Sequence, residues 1–258
     1  GDPLHPLHVA QRRFMFAFIA VAFVIPLLRP EFTKPRLVIH SVRTICGYSA
    51  VSLLFAAAAI IPVSDATAIK FLNPVFAMFF ALPILREKIG PLRWIAALIG
   101  LAGSMILIRP TAGSFEPAAL MALTASVAAG LEMILIKILT GRESPIQILL
   151  INNAIGLFLS SIALIAVWDT PTTGQWFVLA AIGFLMVIGQ AFNLQAFKRA
   201  DATFVLPFSY STLIFVTIYD FSVFSVVPDL VSYLGSAVIV FGAFLLTLPE
   251  IRKSKLVL

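Results

Sequence analysis

A single cysteine, Cys46, leaves this chain no partner for an internal disulfide and excludes a cysteine-built metal cluster. Histidine is almost as scarce. His5, His8 and His40 stand near the ends of apolar runs and have no metal-ligand spacing. There is no Walker loop, no G-x-S-x-G and no H-E-x-x-H, so the sequence offers no catalytic residue, metal site or cofactor motif. Charge is the other shortage. Charged residues are 12% of the 258, about half of the ~25% usual in soluble proteins, while apolar residues reach 60%. A net charge of +6 does not point to nucleic acid here, because the basic residues lie in short loops between apolar runs.

What the chain has in abundance is apolar runs near the ~20 residues that cross a hydrocarbon core of ~30 Å at 1.5 Å per residue. They fall at about 14–28, 40–61, 66–85, 92–108, 117–139, 145–168, 175–197, 203–224 and 229–248. The fold class that follows is an all-α integral membrane protein with nine transmembrane helices. The first run ends Ile-Pro-Leu-Leu-Arg-Pro with no small-residue cleavage site, so it reads as a retained helix and not a signal peptide.

Lysine and arginine set the orientation. Thirteen lie on one side of the nine spans and three on the other, with Arg43 and Lys70 inside spans. By the positive-inside rule the thirteen-residue side is cytoplasmic. The C-terminus is then cytoplasmic, and the 111–113 and 170–174 loops are external.

The stretch from Ser64 to Pro110 returns as residues 200–249. Asp65-Ala66-Thr67 matches Asp201-Ala202-Thr203 at an offset of 136, and after a three-residue insertion the offset is 139: Ala96 meets Gly235, Gly103 meets Gly242, Pro110 meets Pro249. Matches held at one offset indicate an internal duplication. Asp65 falls outside and Asp201 inside, so the two copies are inverted. That is the arrangement of many secondary transporters, with substrate bound near the midplane.

Asn73-Pro74, then Leu85-Arg86-Glu87, then Gly100-x-x-Gly103 resembles the EamA repeat of the drug/metabolite transporter superfamily. The second copy is similar in Pro207-Phe208-x-Tyr210, Pro228-Asp229, Gly235 and Gly242, but the family's second Phe-Gly-Glu falls on Phe224-Ser225-Val226. Glu87 is therefore kept in one copy only. The resemblance implies two inverted repeats of five helices in a ten-helix parent fold. It implies a first repeat at 1–110 that is one helix short, a second at 115–249 and a cytoplasmic tail at 250–258. An apolar span ahead of Gly1 in the natural product is the corresponding expectation.

The resemblance also implies a permease of a bacterial inner membrane, moving small polar metabolites such as amino acids or related solutes by alternating access. Its partners are then a small-molecule substrate and the lipid bilayer, with no nucleic acid. A membrane-embedded enzyme would need acid–base or metal residues converging at one depth, and none do. A non-transporting scaffold or receptor, or an inactive truncated carrier, is the alternative.

Lys70 is the oddest residue of the repeated stretch: a cation in an apolar run, with Asn73 and Pro74 on its own face at i+3 and i+4. It is a substrate-contacting notch with Asn73, or a lysine reaching the outer headgroups. Pro74 should leave the Lys70 carbonyl without its helical partner and so add a polar acceptor. Arg43 and Glu132 enter from the cytoplasmic ends of their spans to similar depth, as a gating ion pair or a static one. Lys70 is set ~15 Å from Glu132 by counting depth from each surface. Tyr210, one turn from Pro207, faces a cavity or packs. Pro74 and Pro207 bend their spans and are candidate hinges.

Overall fold

The computed structural model describes residues 6–61, 63–108, 117–164, 171–225, 227 and 229–254. Among them there is helix and no strand. The helices are α1 Pro6–Leu28, α2 Leu37–Ala58, α3 Val63–Lys70, α4 Asn73–Ile84, α5 Pro91–Ile108 and α6 Pro117–Thr140. They continue as α7 Pro145–Leu164, α8 Thr173–Arg199, α9 Ala202–Val205, a 3-10 turn Leu206–Ser211, α10 Thr212–Phe224 and α11 Leu230–Ser254. The 111–113 loop, Asp169, Thr170, Val226 and residues 255–258 lie outside the described residues.

Among the described residues each of the nine apolar runs is mainly helical, but they are not nine equal spans. Seven stretches of described residues are long and apolar enough to cross a membrane: 8–28, 37–58, 66–84, 117–140, 145–162, 173–199 and 202–223. The apolar parts of α5 and α11, Pro91–Ile106 and Leu230–Leu245, are shorter. At 1.5 Å per residue they rise about 24 Å, less than a ~30 Å core.

Two spans are broken. The 66–85 run is not one helix with a kink at Pro74: α3 stops at Lys70, Phe71 and Leu72 form a turn, and Pro74 sits in the first turn of α4. Proline is favoured there because its missing N–H has no helical acceptor to lose. The 203–224 run is likewise interrupted, with Pro207 inside a 3-10 turn between α9 and α10.

The helices group into two compact units, Gly1–Ile45 with Leu135–Arg199, and Cys46–Ile134 with Ala200–Leu258. In the first, α1 packs on α7 and α8, where Gly156 lies under the Phe14 ring and Gly183 against Phe16 and the Arg13 carbonyl. A buried polar knot ties the start of α2 to the α6–α7 turn. His40 Nε2 lies 2.9 Å from Glu143 Oε2, the Arg36 N–H donates to Glu143 Oε1 at 3.0 Å, and Gln147 Nε2 donates to Glu143 Oε2 at 2.9 Å.

In the second unit, α3 and α4 run along α6 on small residues spaced four apart: Ala118, Ala122, Ser126 and Gly130. Ala118 and Ala122 cluster with Ala57, Ile61 and Ala66, while Gly130 admits the backbone of Asn73 and Ala77. Small side chains let helices approach closely where no hydrophobic force drives them together.

The α5–α11 contact is reciprocal. A Cβ on Gly103 would stand 2.9 Å from the Gly235 carbonyl and 2.9 Å from the Ile239 nitrogen. A Cβ on Gly242 would stand 3.1 Å from the Ala96 carbonyl and 3.1 Å from the Gly100 nitrogen. At the offset of 139, Gly103 corresponds to Gly242, Ala96 to Gly235 and Gly100 to Ile239, so each contact is the other's image. The contact positions ascend on one helix as they descend on the other, so α5 and α11 are antiparallel. Arg86 and Ser225, also 139 apart, both adopt left-handed backbone, with φ of 55° and 57°.

Candidate functional site

Polar groups of the second unit gather at the break between α3 and α4. Lys70, the last residue of α3, is half-buried, and its carbonyl accepts a hydrogen bond from Ser126 Oγ at 3.1 Å. The sequence correctly marks this carbonyl as losing its helical donor. It is not an open acceptor, however, because α6 supplies a hydroxyl. An unsatisfied carbonyl in hydrocarbon costs several kcal/mol, so a neighbouring serine is the economical way to end a helix there.

Glu132 is nearer to Lys70 than depth counting implies, near enough for the two charges to act on each other. The register explains it. Lys70 is level with Ser126, and six residues of α6 separate Ser126 from Glu132, an axial rise of about 9 Å and not ~15 Å. Lysine's flexible four-carbon stem shortens the remaining gap. Glu132 also lies directly on α2. A Cβ built on Gly47 would meet Cδ, Oε1 and Oε2 of Glu132, each at 2.8 Å. The carboxylate thus occupies the space a side chain at position 47 would fill.

Asn73 opens α4 one turn beyond Lys70, and its carbonyl lies against Gly130. Tyr210 is fully buried in the 3-10 turn of the second broken span. Its ring rests on the bare Cα of Gly100 and stacks on Phe71, with centroids 6.0 Å apart and planes at 27°. Among the described residues its hydroxyl has no hydrogen-bond partner. Pro74 and Pro207 sit at the two interruptions, which bring the α3–α4 break against the 3-10 turn. Lys70, Asn73, Glu132 and Tyr210 therefore belong to one unit. Arg43 is buried in the first half of α2, in the other unit.

Three arrangements have no local sequence signal. Gly47 gains meaning only from Glu132. The His40–Glu143–Gln147 knot joins residues from separate runs. Glu87 and Arg93 bind the Asp201-Ala202-Thr203 segment: Glu87 accepts from the Ala202 and Thr203 N–H groups at 2.9 and 3.1 Å, and Arg93 Nη2 donates to Asp201 Oδ2 at 2.9 Å. A cavity of about 570 Å³ among α1, α7 and α8 is lined almost wholly by apolar side chains such as Phe23, Leu149 and Phe184. Gln195 is the one side-chain amide in its lining.

Long apolar helices, two of them interrupted and one of these beside opposite charges, define an integral membrane protein. The chain belongs to the EamA-like transporter family, whose sequence pattern matches residues 2–109 and 116–248. It is thereby a transporter of the drug/metabolite superfamily and not an enzyme. A riboflavin transporter of Vibrio cholerae is 29% identical, over 92% of this chain and 82% of its own length. An S-adenosylmethionine uptake transporter of Rickettsia bellii is 29% identical, over 98% and 87%. A pseudopaline exporter of Pseudomonas aeruginosa is 26% identical, over 80% and 73%. One solved structure, described only as a crystal structure of a protein, superposes with a TM-score of 0.81 at 22% identity, covering 97% of this chain and 90% of its own. That likeness concerns the fold.

Proposed function

We propose that the chain is a secondary transporter of a bacterial inner membrane, with its C-terminus cytoplasmic. It moves a small metabolite bearing an amino-acid group by alternating access between two inverted repeats, 1–110 and 115–249. The observation that carries the substrate reading is that Lys70 and Glu132 stand within one unit as opposite charges in the membrane-spanning part, Lys70 fixed against Ser126 and Glu132 against Gly47. Charges are costly in hydrocarbon and persist in transporters where they face a partner or a solute. An ammonium and a carboxylate set apart in this way match the carboxylate and ammonium of a zwitterion. Asn73 adds an amide beside Lys70. Tyr210 offers an unmatched hydroxyl and an aromatic face at the other break.

The relatives support this reading without fixing it. S-adenosylmethionine, named for the Rickettsia relative, ends in an amino-acid group; riboflavin, named for the Vibrio relative, has none. The reciprocal α5–α11 contact and the shared left-handed turns favour inverted repeats. Broken helices near the midplane are where such carriers hold solute. The gating pair Arg43–Glu132 and the hinges Pro74 and Pro207 are carried forward as parts of the same proposal, on the depth and proline arguments of the sequence.

Uptake of labelled S-adenosylmethionine, methionine and riboflavin into proteoliposomes tests the proposal. Solutes with an amino-acid group should be taken up, and Lys70→Met should abolish that uptake while the protein still inserts. Asn73→Leu should cost less, since a neutral amide contributes less than a charged group. Uptake of riboflavin alone, or full activity of Lys70→Met, would overturn the zwitterion reading.

A further inference from the structure

We propose that Glu87 and Arg93 form a latch that closes one face of the protein, and that the second copy of the repeat does not keep these two residues. The inference rests on the transport reading above. Oε1 of Glu87 accepts from the Ala202 N–H at 2.9 Å, and Oε2 accepts from the Thr203 N–H at 3.1 Å and its hydroxyl at 2.7 Å. Arg93 Nη1 donates to the same hydroxyl oxygen at 2.6 Å, and Nη2 to Asp201 Oδ2 at 2.9 Å. The turn after α4 is thus fastened to the start of the second broken span. Arg86, at φ 55°, turns the chain so that Glu87 reaches it; a non-glycine residue held there stores strain that the contacts beyond it must offset.

The parts of the latch are unequal. Arg93–Asp201 is an ion pair with a largely exposed carboxylate, worth little in water. Glu87 instead satisfies two backbone N–H groups and a hydroxyl belonging to the buried Ala202 and Thr203. Charge-assisted bonds to buried donors are strong ones, and losing their acceptor leaves those donors unpaired. Glu87 is the bolt and Arg93 steadies it.

The fastened segment, Asp201-Ala202-Thr203, has its copy in Asp65-Ala66-Thr67. The left-handed residue that precedes the bolt also has its copy, in Ser225. The bolt does not. At the offset of 139, Glu87 becomes Val226 and Arg93 becomes Ser232, so these two positions carry neither carboxylate nor guanidinium in the second copy. The Ser232 hydroxyl and N–H donate to Asp229 Oδ1 at 2.8 and 3.0 Å. The latched face, rich in Arg86, Lys88 and Arg93, is the cytoplasmic one by the positive-inside rule. One-sided fastening biases a two-state protein toward closure on the fastened side.

The test reads conformation without needing the substrate. In a Cys46→Ala background, Asn73→Cys reports access to the α3–α4 break through its rate of reaction with a membrane-impermeant maleimide. Vesicles of both orientations are used. Glu87→Gln should raise labelling from the face of the 86–93 turn about tenfold, the shift expected from one charge-assisted bond, and lower it from the other face. Adding Val226→Glu and Ser232→Arg should lower labelling from the opposite face.

If Glu87→Gln does not insert, an oxidised Glu87→Cys/Thr203→Cys pair serves. Labelling from the latched face should stop and resume on reduction. Unchanged rates from both faces in Glu87→Gln, or in the oxidised pair, would overturn the latch. Shifted labelling, with no flux of any solute through protein that keeps Asn73, would overturn the transport reading and leave the latch standing. Flux of S-adenosylmethionine or riboflavin through the cross-linked protein would do the reverse.

Discussion

Gly47→Ala is the sharpest probe of the Lys70–Glu132 arrangement, because the changed residue carries no chemistry of its own. The new Cβ would lie 2.8 Å from the carboxylate carbon and both oxygens of Glu132, against 3.4 Å for the onset of ordinary contact. The carboxylate must retreat by at least 0.6 Å, the difference between those distances. It can retreat, since it is the far end of a flexible side chain and not backbone, so the fold survives. Alanine even gains about 1 kcal/mol of helix propensity over glycine, and the unfolding temperature in detergent should hold or rise slightly.

Function should not hold. A binding group needs placement to within about 0.5 Å. Losing half of a charge-assisted interaction of about 1.5–3 kcal/mol is roughly 1 kcal/mol, or about fivefold in affinity. The assay is proteoliposome uptake of whichever labelled solute the unaltered protein accepts, S-adenosylmethionine or riboflavin, over a range of concentrations. KM should rise about fivefold for Gly47→Ala, and Glu132→Asp, one methylene shorter, should return part of the loss when combined with it. Gly189→Ala, whose Cβ meets nothing within 4 Å, is the neutral control. An unchanged KM in Gly47→Ala beside a large loss in Glu132→Gln would refute the reasoning: the carboxylate would act without being held where α2 leaves room for it.

Gly103→Ala and Gly242→Ala should both destabilise, by about 1–3 kcal/mol each, because the new methyl groups meet backbone atoms that cannot rotate away. Gly103→Ala should be the worse of the two, its nearest backbone contacts being 2.9 Å against 3.1 Å; thermal unfolding of the purified variants measures this. Glu143→Ala should cost about 3–5 kcal/mol or prevent insertion, since it strips His40, Gln147 and the Arg36 N–H of one shared buried acceptor. Single cysteines in a Cys46→Ala background check the orientation: Thr172→Cys should react with an impermeant reagent from outside and Ser254→Cys only from inside. Labelling of Ser254→Cys in intact cells would reverse the assignment.

The helices were legible because lipid leaves a chain few choices: a run of apolar residues must satisfy its own backbone, and a helix does so. The two interruptions were half legible. Pro74 and Pro207 mark them, but proline alone does not say whether a helix bends around it or ends before it. Here the answer came from Ser126, whose hydroxyl makes stopping at Lys70 affordable. Lys70 was legible as a cation where cations are rare. Gly47 was not, because a glycine in an apolar helix looks the same whether it faces lipid or a carboxylate. His40 and Glu143, 103 residues apart, each look like a span-end residue until the α6–α7 turn is laid beside α2. Distance along the chain hides what depth and register bring together.

The duplicated stretch shows what such register can and cannot equalise. Gly103 on Gly235 and Gly242 on Ala96 are one contact made twice, and Arg86 and Ser225 hold one backbone conformation twice. Two faces built on the same backbone have, to first order, the same tendency to open. Any preference must then come from side chains that differ between the copies, and a difference of about 1.4 kcal/mol already gives a tenfold bias. Glu87 against Val226 is such a difference, a carboxylate bonded to three donors at one face and an isopropyl group at the matching position of the other copy. On the latch proposal the direction of bias is set by a few side chains at the loops, while the α5–α11 packing, made twice from matching positions, favours neither face.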